Sequence, residues 1–541
     1  MAQVRKSVLI AVAALACSGL LIGARNAPSA APARLHFYPD DPITREPPPL
    51  PVDRASVQSI DAFYDFMVNS LGSPRDQAPH DHPRPAQNVN TLGEVPDGDW
   101  YTNRNYFHPM SIEQLRRGPD EGNAPVLPLQ VTGAKTQGVT PGFNIKDAKG
   151  RRYLIKFDPP SNPEMATACD VIGSKFFYAF GYNVPQNYLI NFRRDQLTVA
   201  PSARLTDLDG VKRAMDEHDL DVVLRKVPHR ADGSFRGMAS FIIPGKVIGS
   251  FKYVLTRPDD PNDIYLHENH RELRGLYVFA AWLQHTDVKA TNSLDSIQTI
   301  DGIPRVRHYL IDFGAILGSD SDAPKDPKLG HAYFLNWGGG LTQMLSLGLA
   351  VPAWERTDFD TLPAVGNFVA EPFDPRHWTS NYPNPAFLNR LPDDDFWAAR
   401  QVVSFRPEQI RAMVETGGYT NPEAASYITR ALLERQHKIG VALLTEVLPL
   451  DRFAVRDGGL TFQDVAAEYG YGPQKTYRVS WFAFDNNTGA TTPIVNASTL
   501  TVPAQSQSEY VMALIQDSSQ PRKTVKVYIR QNRIVGVQRT W

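Results

Sequence analysis

Two short polar segments constrain the fold of this chain more than any other feature. The first, residues 285–292, carries a carboxylate, a cation and a carboxamide, which are Asp287, Lys289 and Asn292. The second begins with the carboxylate of Asp312, twenty residues after Asn292. A helix pattern over 270–283 precedes the first segment, and strand patterns over 296–300 and 305–311 precede the second. Asp301-Gly302 between those strands is a strong hairpin turn, so the sequence predicts helix, polar loop, hairpin and second carboxylate in that order.

These segments resemble the catalytic motifs of protein kinases, H-R-D-x-x-x-x-N followed by D-F-G. All of Asp312-Phe313-Gly314 is present, and in the first motif only the arginine is replaced, by Thr286. The succession of strands and helices over about residues 125–445 is similar to the two-lobe plan of that fold. Three segments look typical of the atypical bacterial branch related to HipA-type kinases and exported spore-coat or secretory kinases: Asp99–Arg104, Thr140–Phe143 and His270–Gly275.

The resemblance implies a phosphoryl transfer from magnesium-ATP to a hydroxyl, a reaction that depends on positioning and charge neutralisation. Asp287 would accept the proton of the acceptor hydroxyl, and Lys289 would neutralise charge on the transferred phosphate. Asn292 and Asp312 would hold Mg²⁺, because this hard cation prefers oxygen ligands.

The nucleotide side of this site is expected upstream. Lys156 ends the sequence Leu-Ile-Lys, similar to the kinase V-A-I-K strand, and a lysine among apolar strand residues needs an anionic partner. Kinases supply a glutamate from the next helix, predicted here over 164–180; Asp170 is the expected partner, with Glu164 as the alternative. The Gly-containing segment 133–138 departs from G-x-G-x-x-G. Its residues Lys135 and Thr136 are expected either to contact phosphate or to belong to a plain turn.

The composition limits the kinds of binding partner that are expected for this protein. The net charge is −2 and 42% of residues are hydrophobic, as in ordinary globular proteins, so nothing indicates a nucleic-acid surface or a polybasic membrane patch. The expected partners are a nucleotide and an unknown protein or small-molecule acceptor. Two alternatives stay open: a kinase-like binding or scaffold protein of the cell envelope without turnover, and an AMP transferase on the same fold. His80-Asp81-His82 could be a metal motif, but a solvated loop fits its proline-rich surroundings better.

The N-terminus has the pattern of an export signal. Arg5 and Lys6 precede an apolar run over 8–16, and Ala14-Leu15-Ala16 is followed by Cys17. This resembles a bacterial lipoprotein site, except that a leucine usually stands at the position of Ala14. The sequence thus predicts export to the periplasm, the cell envelope or the exterior. Lipidation at Cys17, later cleavage and an uncleaved membrane anchor all remain open.

The predicted fold class is α+β: a two-lobe kinase-like fold with an irregular N-terminal extension and a small C-terminal β-rich domain. The expected boundaries are a signal over 1–24, a proline-rich tether and extension over 25–125, an N-lobe over 126–265, a C-lobe over 266–449 and the β-rich domain over 450–541. Within 25–125, residues 25–55 are expected to be a flexible tether. Further strands are predicted at 222–224 and 239–243, and in the last domain at 477–484, 510–515, 525–530 and 534–539.

Overall fold

The computed structural model describes residues 35–72, 83–135, 142–206, 211–335, 352–359, 362–494, 499–503 and 508–541, and these form an α+β fold. The helices are α1 Ala62–Gly72, α2 Ile112–Arg117, α3 Met165–Phe180, α4 Glu217–Leu224, α5 Arg271–Leu283, α6 Pro385–Leu388, α7 Pro392–Val403, α8 Pro407–Glu415, α9 Pro422–Leu443 and α10 Val465–Glu468. The strands are β1 Leu129–Lys135, β2 Gly142–Lys146, β3 Arg152–Lys156, β4 Asn187–Phe192, β5 Leu197–Thr206, β6 Lys212–Ala214, β7 Phe235–Phe241, β8 Lys246–Val247, β9 Ser293–Ile300, β10 Ile303–Leu310, β11 Leu450–Arg456, β12 Gly459–Asp464, β13 Arg478–Phe484, β14 Thr491–Pro493, β15 Tyr510–Gln516, β16 Thr524–Arg530 and β17 Arg533–Thr540.

The first sheet has seven strands in the order β4-β7-β3-β2-β1-β5-β6. Strands β2 and β3 form a hairpin, and its turn is closed by Asp147, whose side chain accepts hydrogen bonds from the backbone of Lys149 and Arg151. Successive side chains of β3 point to opposite faces of the sheet, and Tyr153 and Ile155 are buried on one of them. Lys156 therefore lies on the opposite face, where it is only partly covered.

Helix α3 crosses between this sheet and the helical body. Every residue of α3 except Tyr178 is buried. Asp158 caps its first turn, accepting from the backbone N–H and the hydroxyl of Thr167 at 2.8 and 2.7 Å. The helix is thus held by its N-terminus and packed on all sides, which gives the side chains it presents a defined position.

The helical body contains α5, α7, α8 and α9 around one apolar cluster. All thirteen residues of α5 are buried. Arg435 of α9 closes the end of α5, donating to the carbonyls of Ala281 and Trp282 at 2.5 and 2.9 Å. Burial lowers the pKa of Arg435 to about 9. This contact fixes the point at which the chain leaves α5 for the polar loop.

The hairpin β9–β10 was predicted from Asp301-Gly302 and is present. Both turn residues have positive φ, 53° and 79°, as a two-residue hairpin turn of this type requires. Strand β8 adds to β9, so the chain passes directly from the end of β7 into this second sheet. The register pairs Ser293 with Leu310, which brings the residues on either side of the hairpin together.

The C-terminal β-rich region was also predicted correctly. Its five-stranded antiparallel sheet has the order β14-β13-β15-β16-β17, and each predicted strand agrees with an observed one to within a residue at either end. The hairpin β11–β12 packs on one face of this sheet.

Two expectations need correction. Residues 222–224 are not a strand but the end of α4, which begins with a capping box between Asp216 and Asp219. The described part of the expected tether, residues 35–55, lies against the folded body: Phe37 is 2% exposed and packs on Tyr528 and Tyr510 of the C-terminal sheet. Within the described residues, no helix combines the length and apolar character needed to cross a membrane.

Candidate functional site

Three of the predicted residues meet between the first sheet and the helical body. Lys156 Nζ of β3 lies 2.6 Å from Asp312 Oδ1 and 3.3 Å from Asp170 Oδ2 of α3. The side chain of Asp170 is 3% exposed, whereas that of Asp312 is 45% exposed. The partner expected for Lys156 on α3 is thus in contact with it. Glu164, the alternative, instead accepts hydrogen bonds from Thr420.

Asp170 also holds the segment that follows the hairpin. Its Oδ1 accepts the backbone N–H of Phe313 at 2.9 Å, while its Oδ2 faces Lys156. The close approach of α3 is made possible by Gly173, where an added Cβ would lie 2.5 Å from Phe313 Cβ. An aspartate, one methylene shorter than glutamate, suits this short distance between helix and backbone.

The Asp312-Phe313-Gly314 segment is fixed by Phe313. Its ring is fully buried and stacks on Phe177 of α3 at a centroid distance of 4.8 Å. Asp312 itself has φ 65°, a left-handed conformation that is uncommon for residues other than glycine. This turn leaves Asp312 partly exposed while the next side chain enters the core.

The polar loop after α5 orders its own side chains. Asp287 Oδ2 accepts from Asn292 Nδ2 at 2.8 Å, and Asp287 Oδ1 lies 2.8 Å from Lys289 Nζ. Asn292 also donates to the backbone oxygen of Asp287, at the end of a short turn over Ala290–Asn292. The Asn292 carbonyl accepts from Ile311, the residue before Asp312. The loop and the second carboxylate are therefore adjacent.

Burial and charge oppose each other in this cluster. Burial disfavours the charged form of Lys156, but Asp170 and Asp312 outweigh it and hold the pKa of the ammonium above its ordinary value. Burial also works against the Asp312 carboxylate, yet Lys156 keeps its pKa below the usual range. At Asp170 burial prevails and raises the pKa. Of the two carboxylates, Asp170 is therefore the one that takes up a proton first as the pH falls.

The oxygen atoms present fit a magnesium ion better than a transition metal. Asp312 offers a half-exposed carboxylate, and Asn292 offers its side-chain oxygen, because its Nδ2 is already bound to Asp287. In the described part of the chain, no group of three or more His, Cys, Asp or Glu side chains is placed to hold a metal. Two protein oxygens with remaining positions for phosphate and water are the usual arrangement for Mg²⁺.

Two residues of the site carry no local sequence signal. Lys325 is fully buried and donates to the Thr286 hydroxyl at 3.0 Å and to the Ala315 carbonyl at 3.3 Å. Asn381 donates from Nδ2 to Asp287 Oδ1 at 3.3 Å. Lys325 is 39 residues from Thr286 and Asn381 is 94 residues from Asp287, so only these contacts identify them as part of the site.

Further predictions fall on residues that the structure does not describe in full. The backbone of Lys135 ends β1, but its side chain is not described, and Thr136 and the segment His80-Asp81-His82 lie outside the described residues. A cavity of about 590 Å³ is lined by Glu164, Thr420, Arg230 and Arg236 among others, but by none of Lys156, Asp170, Asp287, Asn292 and Asp312.

Comparisons with known proteins returned no similar protein: no family model, no curated protein and no solved structure matches this chain.

Proposed function

We propose that this chain is an exported, magnesium- and ATP-dependent phosphotransferase with a two-lobe, protein-kinase-like fold, acting on a hydroxyl of a protein or small molecule. The observation that carries the proposal is the convergence of Lys156, Asp170 and Asp312 from a strand, a helix and the end of a hairpin. The loop that contains Asp287 and Asn292 is hydrogen-bonded beside it.

The arrangement of the core supports the fold part of this proposal. The first sheet and α4 share one apolar cluster, whereas α3 and the helices from α5 to α9 share another. Residues 242–245, which link β7 to β8, are one of the places where the chain passes between the two clusters. Lys156 and Asp312 lie at this boundary, where a ligand could contact both parts.

Each side chain would have a separate task. Lys156 would bind phosphate oxygens, and Asn292 and Asp312 would hold Mg²⁺, which supplies charge neutralisation when bound. Asp287 would take the proton of the acceptor hydroxyl, since each carboxylate oxygen can accept more than the bonds it already makes. The acceptor oxygen forms a bond to the γ-phosphorus, the bond to the bridging oxygen breaks, and its electron pair leaves with ADP.

A magnesium-dependent thermal shift with ATP tests the proposal. Ligand at a hundred times its Kd stabilises the native state by about 2.7 kcal/mol, so we expect Tm to rise with ATP only when Mg²⁺ is present. Asp312→Asn should abolish this shift, because it removes the carboxylate that would hold the metal. Asparagine is chosen because it tolerates the positive φ of this position better than alanine does.

Asp301→Asn is the matched control. Asp301 also has positive φ, is 89% exposed and lies at the opposite end of strand β10. This variant should retain the full shift. A wild-type protein whose Tm is insensitive to ATP and Mg²⁺, and which transfers phosphate to no acceptor, would contradict the proposal.

A binding or scaffold protein without turnover is the second candidate. It is favoured by the glycine segment 133–138, which departs from G-x-G-x-x-G, by Asp170 in place of a glutamate, and by the predicted export signal, since ATP is scarce outside the cytoplasm. In that case Asp287→Asn should bind nucleotide and support cellular function as well as the wild type does. Transfer of AMP, the third alternative, would be recognised by label moving to the acceptor from the α-phosphate of ATP and not from the γ-phosphate.

The proposed location rests on the sequence alone. The predicted signal over 1–24 lies outside the described residues, so export and membrane attachment through a lipid or an anchor stay proposals. Mass spectrometry of the purified protein would show whether Cys17 is lipidated, removed or retained.

A further inference from the structure

Asn381 contacts the proposed catalytic base from a distant part of the chain. Its Nδ2 donates to Asp287 Oδ1 at 3.3 Å, and the residue is 6% exposed. Asp287 therefore has one partner from outside its own loop as well as Lys289 and Asn292 within it.

The backbone of Asn381 is held on both sides. Its N–H donates to the carbonyl of Thr286 at 2.8 Å, and its own carbonyl accepts from Phe334 at 2.8 Å. The neighbouring Tyr382 is fixed by α1, where Asp65 accepts from the tyrosine hydroxyl at 2.9 Å. The amide of Asn381 is consequently presented to Asp287 from a rigid support.

The orientation of this amide follows from the chemistry of its partner. An ionised carboxylate only accepts hydrogen bonds, so the amide NH₂ must face Asp287. The other end, Asn381 Oδ1, is buried and has no hydrogen-bond partner among the described residues. A buried acceptor without a partner costs stability, so the side chain is poorly suited to a purely structural role.

We propose that Asn381 is a positioning residue for Asp287, holding Oδ1 of the carboxylate so that the base stays aimed at the acceptor hydroxyl. Together with Lys325, which holds the Thr286 side chain, it fixes the loop at the position where the kinase motif has an arginine. The inference rests on the proposed phosphotransferase function and adds to it a residue that the motif does not contain.

Hydrolysis of magnesium-ATP, with water as the acceptor, tests the role without an identified substrate. Asn381→Ala should lower kcat by about 10- to 100-fold, as expected for a lost hydrogen bond to a charged group. The KM for ATP and the thermal shift with Mg²⁺ and ATP should stay within about twofold of wild type. Asn381→Asp has the same shape, lacks the donor and adds a second negative charge, so its kcat should fall at least as far as that of the alanine variant.

Stability separates positioning from a structural role. Asn381→Ala removes the unpaired oxygen, so its Tm should stay close to that of the wild type. Asn384→Ala is the matched control in the same segment: Asn384 is buried, and it caps α6 by accepting from the backbone N–H of Ala386 at 3.0 Å. This control should lose stability and keep its kcat.

The outcomes distinguish the two proposals. Two results overturn the role of Asn381 and leave the proposed function standing. In the first, the wild type is active and Asn381→Ala has the same kcat. In the second, Asn381→Ala loses kcat and also loses Tm, as Asn384→Ala does. A wild type that binds magnesium-ATP but neither hydrolyses it nor transfers phosphate leaves no base to be positioned and overturns this inference. A wild type that does not bind magnesium-ATP overturns the proposed function as well.

Discussion

At the scale of single residues, the site depends on one lysine shared by two carboxylates. Lys156 contacts Asp312 at 2.6 Å and Asp170 at 3.3 Å, and the buried Asp170 also accepts from the backbone of Phe313. Removing the lysine would leave two carboxylates close together with no cation between them, which is costly in a buried site. The three groups therefore behave as a unit, and single substitutions within it are expected to be non-additive.

His285 should make the stability of the fold depend on pH. It is 4% exposed beside Phe177 and Phe313, and burial lowers its pKa from 6.5 to about 4. Between those values the unfolded chain binds the proton and the native protein does not. His285 therefore makes its full contribution to the free energy of unfolding above pH 6.5. This contribution falls by about 2 to 3 kcal/mol as the pH decreases from 6.5 toward 4.

Urea unfolding of the wild type and of His285→Gln at pH 7 and pH 4.5 measures this contribution. Buried carboxylates titrate in both proteins, so the difference between them isolates His285. We expect the wild type to lose more stability on acidification than the variant loses. Equal losses would show that the ring is already charged or is accessible in the native protein.

At the scale of elements, α3 determines how closely strand β3 and the Asp312 segment approach each other. Its N-terminus is capped by Asp158, and its middle carries both Asp170 and Gly173. The short side chain of Asp170 and the lack of a side chain at Gly173 both let α3 lie directly against Phe313.

Gly173→Ala should disturb the site although alanine normally stabilises a helix by about 1 kcal/mol relative to glycine. The new Cβ would lie 2.5 Å from Phe313 Cβ, so the helix and the Asp312 segment must separate. We expect a loss of about 1 to 3 kcal/mol in the free energy of unfolding, and a weaker thermal shift with magnesium-ATP.

Gly472→Ala provides the comparison for this variant, since the nearest atom to its added Cβ is 3.7 Å away. It should change neither stability nor nucleotide binding appreciably. A fully stable Gly173→Ala protein with normal binding would mean that α3 can move away from Phe313 without consequence.

At the scale of the whole molecule, the N-terminal extension joins the helical body to the C-terminal sheet. Thr91 pairs with β17, donating from its hydroxyl to Val535 and accepting from Val537. Arg400 of α7 is almost fully buried and binds Glu94 of the extension and Asp451 of β11 together. Residues distant in sequence therefore depend on each other for their stability.

Phe37 is expected to stabilise the C-terminal sheet from the far end of the chain. It is 2% exposed, and its ring lies against Tyr510, Tyr528 and Phe484. Phe37→Ala should lower the free energy of unfolding by about 3 kcal/mol and reduce hydrogen-exchange protection in β15–β17. Tyr38→Ala removes the next aromatic ring, which is 60% exposed, and should have little effect. Equal protection in both variants would show that residues 35–38 do not support the sheet.

Local patterns were sufficient for most elements and for part of the site. Asp301-Gly302 marked the hairpin turn, and alternating residues marked the C-terminal strands, because each depends on neighbours in sequence. The same reasoning failed at 222–224, where a short run of Val and Leu suits a strand or a helix equally. The capping box of Asp216 and Asp219 decided for the helix.

The sequence by itself determined the order of the chemical groups: Lys156, then Asp287 and Asn292, then Asp312. Spacing along the chain carries that information, since a loop and a hairpin are local structures. Only the tertiary structure decided that Asp170 contacts both Lys156 and the backbone of Phe313. It also decided that Lys325 and Asn381 hold the loop, and that Phe37 packs on the C-terminal sheet. These contacts join residues far apart in the chain, and their energies depend on burial and on exact distances, which no local pattern specifies.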